Sequence, residues 1–127
     1  MMPSIDRAFF TLAVLAGLAG MLLGIQMGMA HDFQLVPVHT HINLVGWVSL
    51  ALFGIGYRLG LAKGGGLAVI HFWVAAAGAI LLPVGIYLAT TRQQEAVVII
   101  GSVLVFASML LFLVNVVRAW NTPAAAG

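Results

Sequence analysis

A chain of 127 residues leaves room for one domain and little more. Hydrophobic residues make up 63% of it and charged residues only 6%, against roughly 45–50% and about 25% in soluble domains. Five Lys/Arg and three Asp/Glu are too few to cover so much apolar surface in water, and a net charge of +2 without a basic run excludes nucleic acid as a partner. The absence of cysteine removes disulfides, thiolate zinc sites, iron–sulfur clusters, a cysteine nucleophile and covalent c-type haem. The composition is that of an integral membrane protein whose metal chemistry, if any, rests on histidine.

A membrane helix needs about 20 largely apolar residues to cross a hydrocarbon core of about 30 Å. Four runs qualify, over residues 8–29, 36–57, 67–88 and 96–117, and none contains Asp, Glu, Lys or Arg. They form a single all-α domain over 1–127. The first run is long for a signal peptide, Asp6 beside Arg7 weakens a basic leader, and Ala30 after Met29 is a poor cleavage signal, so it reads as a retained helix. It carries Gly17, Gly20, Gly24 and Gly28, a stripe that admits a second backbone or a flat ligand. In the second run Pro37 sits in the first turn, where a missing N–H costs nothing. Pro83 in the third predicts a bend. Trp73, Tyr57, Tyr87 and Trp120 near helix ends read as interfacial anchors. The joins are short, which predicts an up-down, antiparallel arrangement. Arg7, Arg58, Lys63 and Arg118 fall on one side and Arg92 on the other, which predicts cytoplasmic termini. With no targeting segment, the pattern fits a bacterial or archaeal inner membrane.

Chemistry falls to the histidines. His39 and His41 lie in the second run, His71 near the start of the third, and His31 in the first join. Ionisable groups inside a bilayer are costly and tend to mark function. Positions two apart on a helix differ by about 200° in direction and about 3 Å in height. The two imidazoles therefore leave opposite flanks, and one straight helix does not bring both to one metal. Each either meets a different metal or meets a histidine of another copy. His31 and His71 read as hydrogen-bonded interfacial residues. Haem suits the pair, being flat, apolar and served by axial imidazoles. Gly46 falls on the same face as His39 with Asn43 between them, and Thr40, Asn43 and Gln26 are the polar groups nearest in depth.

The run His39-Thr40-His41-Ile42-Asn43-Leu44-Val45-Gly46-Trp47 resembles the histidine-bearing helix of haem–copper oxidase catalytic subunits, including the nitric oxide reductase branch. In that family one helix carries a His-x-His pair whose imidazoles ligate two different haems, and twelve helices form three four-helix arcs. The present chain is similar to one such arc standing alone. The family's copper site needs three further histidines, two of them adjacent. No His-His dipeptide occurs here and no acid lies within the four runs, so copper, oxygen or nitric oxide reduction and proton pumping are not expected.

The resulting expectation is a haem-b-binding membrane protein with His39 and His41 as axial ligands and Asn43, Gly46 and Gln26 around the cofactor. Two imidazoles on iron favour electron transfer, to a redox partner that nothing in the sequence identifies. Because each chain offers one histidine to either side, a ring of copies completes every site, and the three arcs of the resembling family favour a homotrimer surrounded by membrane lipid. Two other readings stay open: a haem-free structural or interaction protein, and a metal-ion binder using His31, His39 and His41.

Overall fold

The computed structural model describes residues 4–122. It is all-α, with four helices long and apolar enough to cross a membrane: α1 (Ile5–Ala30), α2 (Val36–Arg58), α3 (Gly66–Arg92) and α4 (Ala96–Trp120). Each contains one of the four expected runs and extends beyond it by up to four residues. The extra turns hold the charged and polar boundary residues, such as Asp6, Arg58, Arg92 and Arg118.

α2 departs from the straight α-helix that its apolar run implies. It is α-helical over Val36–His41, π-helical over Ile42–Ser49 and α-helical again over Leu50–Arg58. Ser49 Oγ donates to the Leu44 carbonyl five residues back at 2.8 Å, within the π segment. π turns interrupt α-helices rarely and tend to occur at functional sites; this one begins directly after His41. α3 continues through Pro83 as one uninterrupted helix. Pro83 is buried there, and the Ala79 carbonyl lacks its usual donor.

Close packing follows the glycines. α1 lies along the π segment and last turns of α2, and α3 lies along α4. The first part of α2 and its π segment join the two pairs by resting on α3. Between α3 and α4 the backbones approach so closely that side chains are excluded at three positions. A Cβ at Gly101 would stand 2.5 Å from the Leu82 nitrogen, one at Gly78 would stand 2.9 Å from the Val105 nitrogen, and one at Gly85 would strike Val98. At the end shared by Ser4 and Thr122 an aromatic core forms from Phe9, Phe53 and Tyr57, with Phe72 and Phe112 packed against it. The loop between α2 and α3 closes over that end: the Lys63 amide donates to the Asn115 carbonyl at 2.8 Å, and Ala62 is buried. Large apolar side chains elsewhere, among them Leu22, Ile25, Phe106 and Leu113, face outward as a lipid-exposed surface requires.

Gly101→Val is expected to lower stability by about 3 kcal/mol or more, above the usual 1–3 kcal/mol of overpacking, because backbone and not a flexible side chain must yield. Gly28→Ala, with nothing within 4 Å of its Cβ position, is expected to be neutral. Unfolding by denaturing detergent, followed by circular dichroism, compares the two.

Candidate functional site

His39 and His41 stand near the end of the molecule opposite the termini, in the short α-helical part of α2. Both are partly buried. His39 Nδ1–H donates to the Gly20 carbonyl of α1 at 2.8 Å. His41 Nδ1–H donates to the Pro37 carbonyl, one turn back on its own helix, also at 2.8 Å. Since a carbonyl only accepts, the proton of each ring is on Nδ1, and Nε2 carries a lone pair. Neither Nε2 has a hydrogen-bond partner among the described residues.

The glycine stripe explains how His39 reaches α1. Trp47, Asn43 and His39 occupy the spaces over Gly17, Gly20 and Gly24 in turn. A Cβ at Gly20 would lie 2.5 Å from Asn43 Nδ2, and one at Gly24 would lie 2.8 Å from His39 Cε1. Asn43 Nδ2 donates to the His39 carbonyl at 2.8 Å and so ties the histidine's turn to the π segment. Gly46 also faces α1, where its missing Cβ makes way for the Ala16 methyl. Of the expected flat walls, Gly17, Gly20, Gly24 and Gly46 are therefore taken up by contact between α1 and α2. Gly28 alone of the stripe is open.

His39, Asn43 and Gly46 thus gather on one seam with α1. His41 stands apart, bonded within its own helix. Gln26 is not brought to them: it is exposed, two residues from Gly24 and so about 200° around the helix. His31 caps α1 in a left-handed conformation with φ 51° and is exposed. Among the described residues no three of His, Asp and Glu gather where a metal ion could sit, so one chain does not assemble an ion site from His31, His39 and His41.

The sequence expectations for His71 and Tyr57 need correction. Neither is an interfacial side chain. His71 is fully buried and Tyr57 nearly so. They belong to a polar chain that sequence inspection passed over, because its central member, Asn115, is one amide in a long apolar run. Arg118 Nη1 donates to Asn115 Oδ1 at 3.0 Å, and Asn115 Nδ2 donates to Tyr57 Oη at 2.8 Å. Tyr57 Oη lies 2.8 Å from His71 Nδ1. With its oxygen accepting from Asn115, the hydroxyl donates its proton to Nδ1, which leaves the His71 proton on Nε2. That Nε2–H is buried without a hydrogen-bond partner. It lies in a box of rings, with the Phe53, Phe9 and Phe112 centroids 4.7, 4.9 and 5.6 Å from that of His71. The available signal was spacing: Asn115 and Arg118 are three apart on α4, hence on one face.

Comparison with known family models, curated proteins and solved structures finds no match to this chain.

Tyr57→Phe is expected to cost about 2–4 kcal/mol, because it strands two buried groups, His71 Nδ1 and Asn115 Nδ2, each at roughly 1–3 kcal/mol. Replacing His71 by Phe in the Tyr57→Phe background removes one of the stranded groups and is expected to recover part of the loss. A double-mutant cycle on detergent unfolding reads the coupling.

Proposed function

We propose that this chain is a haem-b-binding subunit of a bacterial or archaeal inner membrane, in which His39 and His41 are axial ligands to two different haems lying between copies of the chain. Its role is electron transfer. The observation that supports this reading is the state of the two imidazoles. Each engages Nδ1–H with a backbone carbonyl and leaves the Nε2 lone pair free. Metal-ligating histidines are held in this way, the second nitrogen fixing tautomer and ring direction. His71 lacks that arrangement, since its free nitrogen carries the proton.

His39 is held by Gly20 from α1 and, through its carbonyl, by Asn43. His41 depends on its own helix alone. One chain therefore offers two separate single ligands, and a ring of copies, three in number by the resemblance, supplies each haem with one of each. A haem held by two imidazoles supplies one-electron transfer with no open position on the iron. The cluster of Arg7, Arg58, Lys63 and Arg118 at the termini end, against Arg92 at the other, supports cytoplasmic termini and, with them, a histidine pair toward the outer face. The bond from His39 to Gly20 also favours a second reading, in which the histidine is a haem-free clasp between α1 and α2.

Protein purified from haem-replete cells is expected to show a Soret band, a pyridine haemochrome of b type and no carbon monoxide shift when reduced. His39→Ala and His41→Ala are each expected to abolish most of it, and their co-expression to restore part, as interfaces with both ligands re-form. Native mass spectrometry is expected to count three chains and three haems. A colourless protein with His39→Ala destabilised favours the clasp, and a monomer with a six-coordinate haem overturns the ring.

A further inference from the structure

The seam between α1 and α2 is filled near Gly20 and Gly24 but opens along its lipid-facing side. Two cavities line up there. One, of about 460 Å³, is lined by Arg7, Phe10, Thr11, Gly54, Ile55 and Arg58, with Asp6 beside them. The other, of about 90 Å³, is lined by Val14, Leu18, Met21, Trp47 and Gly17. Arg7, Thr11, Val14, Leu18 and Met21 follow one another at steps of three or four residues, so they share one face of α1. The Phe10 and Trp47 rings, one from each cavity, meet edge to face at 6.3 Å and bridge the two. The seam descends from Arg7 to Met21 over about 21 Å at 1.5 Å per residue, more than the roughly 15 Å of one leaflet.

Its two ends differ in chemistry. The lower part is apolar. The upper part holds two guanidinium groups and one carboxylate, a formal charge of +1. Arg58 lies 3.5 Å from Asp6 and is itself largely exposed. Arg7 is exposed and has no carboxylate partner among the described residues. Arg58 keeps donors in excess of what one carboxylate at that distance engages, since a guanidinium has five. Guanidinium groups at the level of the headgroups recognise phosphate with paired N–H donors. An apolar channel beneath them accepts a hydrocarbon chain, which a free phosphate or an acidic peptide does not carry.

We infer that this seam is a binding site for one anionic glycerophospholipid per chain, its phosphate on Arg7 and Arg58 and one acyl chain laid over Phe10 and Trp47 toward Met21. The site is independent of haem. It lies on α1 and the latter part of α2, away from His39 and His41. Asp6 limits it to a single phosphate by neutralising half the positive charge, and its carboxylate disfavours a second anion.

Native mass spectrometry of the detergent-purified protein, titrated with dioleoyl phosphatidylglycerol or dioleoyl phosphatidylcholine, tests the assignment. One phosphatidylglycerol per chain is expected to bind, and phosphatidylcholine to bind about tenfold more weakly or less. Arg7→Gln leaves the Asp6–Arg58 pair in place and is expected to weaken phosphatidylglycerol several-fold; Arg7→Gln with Arg58→Gln is expected to abolish the preference between the lipids. Val14→Trp, which fills the channel without touching a charge, is expected to weaken both lipids. Unchanged helicity and elution of the variants excludes misfolding. Equal binding of the two lipids to the parent protein overturns the proposal, as does a preference that survives the double arginine substitution. So does a change of oligomeric state with Val14→Trp in delipidated protein, which would assign the seam to a second copy.

Discussion

Between two apolar helices in a bilayer, burying another leucine gains little, because lipid tails are as apolar as leucine itself; association turns on how closely the backbones come together and on the few polar groups they share. This protein meets that constraint twice. α3 and α4 touch backbone to backbone at Gly78, Gly85 and Gly101. α1 and α2 come together over Gly17, Gly20 and Gly24, which receive Trp47, Asn43 and His39. The second contact decides more than stability. Because Gly24 has no side chain, the His39 ring can lie against α1 with its Nδ1 2.8 Å from the Gly20 carbonyl.

The polar groups are concentrated at two levels and handled in opposite ways. At the termini end, donors run in one direction from an exposed arginine through Asn115 and Tyr57 to His71. The chain ends on an N–H enclosed by aromatic rings, whose faces are weak acceptors. That end is closed: α2, α3 and α4 each contribute a member, and the α2–α3 loop is fastened over it through Lys63 and Asn115. At the opposite end the histidines of α2 are bonded only on their Nδ1 side. A lone pair in a partly buried position next to lipid has few ways to be satisfied, since hydrocarbon supplies no donor. The contrast separates a histidine buried inside the fold from two partly buried ones whose second ring nitrogen is unbonded among the described residues.

The π segment connects these levels. It starts at Ile42, immediately after the histidine pair, and ends where Leu50 enters the aromatic core. Asn43, Gly46 and Trp47 within it face α1, while Phe53 and Tyr57 beyond it turn toward α3 and α4. A single helix thereby serves the histidine seam at one end and the buried polar chain at the other. The lipid-facing edge of the same α1–α2 contact stays open, with Arg7 and Arg58 at its head.

Much of the architecture was legible in the sequence, for a simple reason. The bilayer imposes a length and a polarity on every spanning segment, so four uninterrupted apolar runs with charges between them specify four helices to within about one turn at each end. The opposed directions of His39 and His41 also follow from helical rise and rotation alone. What the sequence did not determine is which surfaces meet. A glycine stripe admits a helix or a flat ligand equally, and only packing shows that Asn43, His39 and Trp47 fill it. Gln26 matches the histidines in depth, yet it faces away because depth does not specify azimuth. Tyr57, His71 and Asn115 lie on three different helices, and no periodicity within one helix reveals that their faces converge. Hydrophobic pattern is a property of each segment taken singly, whereas a hydrogen bond between helices exists only once their rotations about their axes have been chosen together.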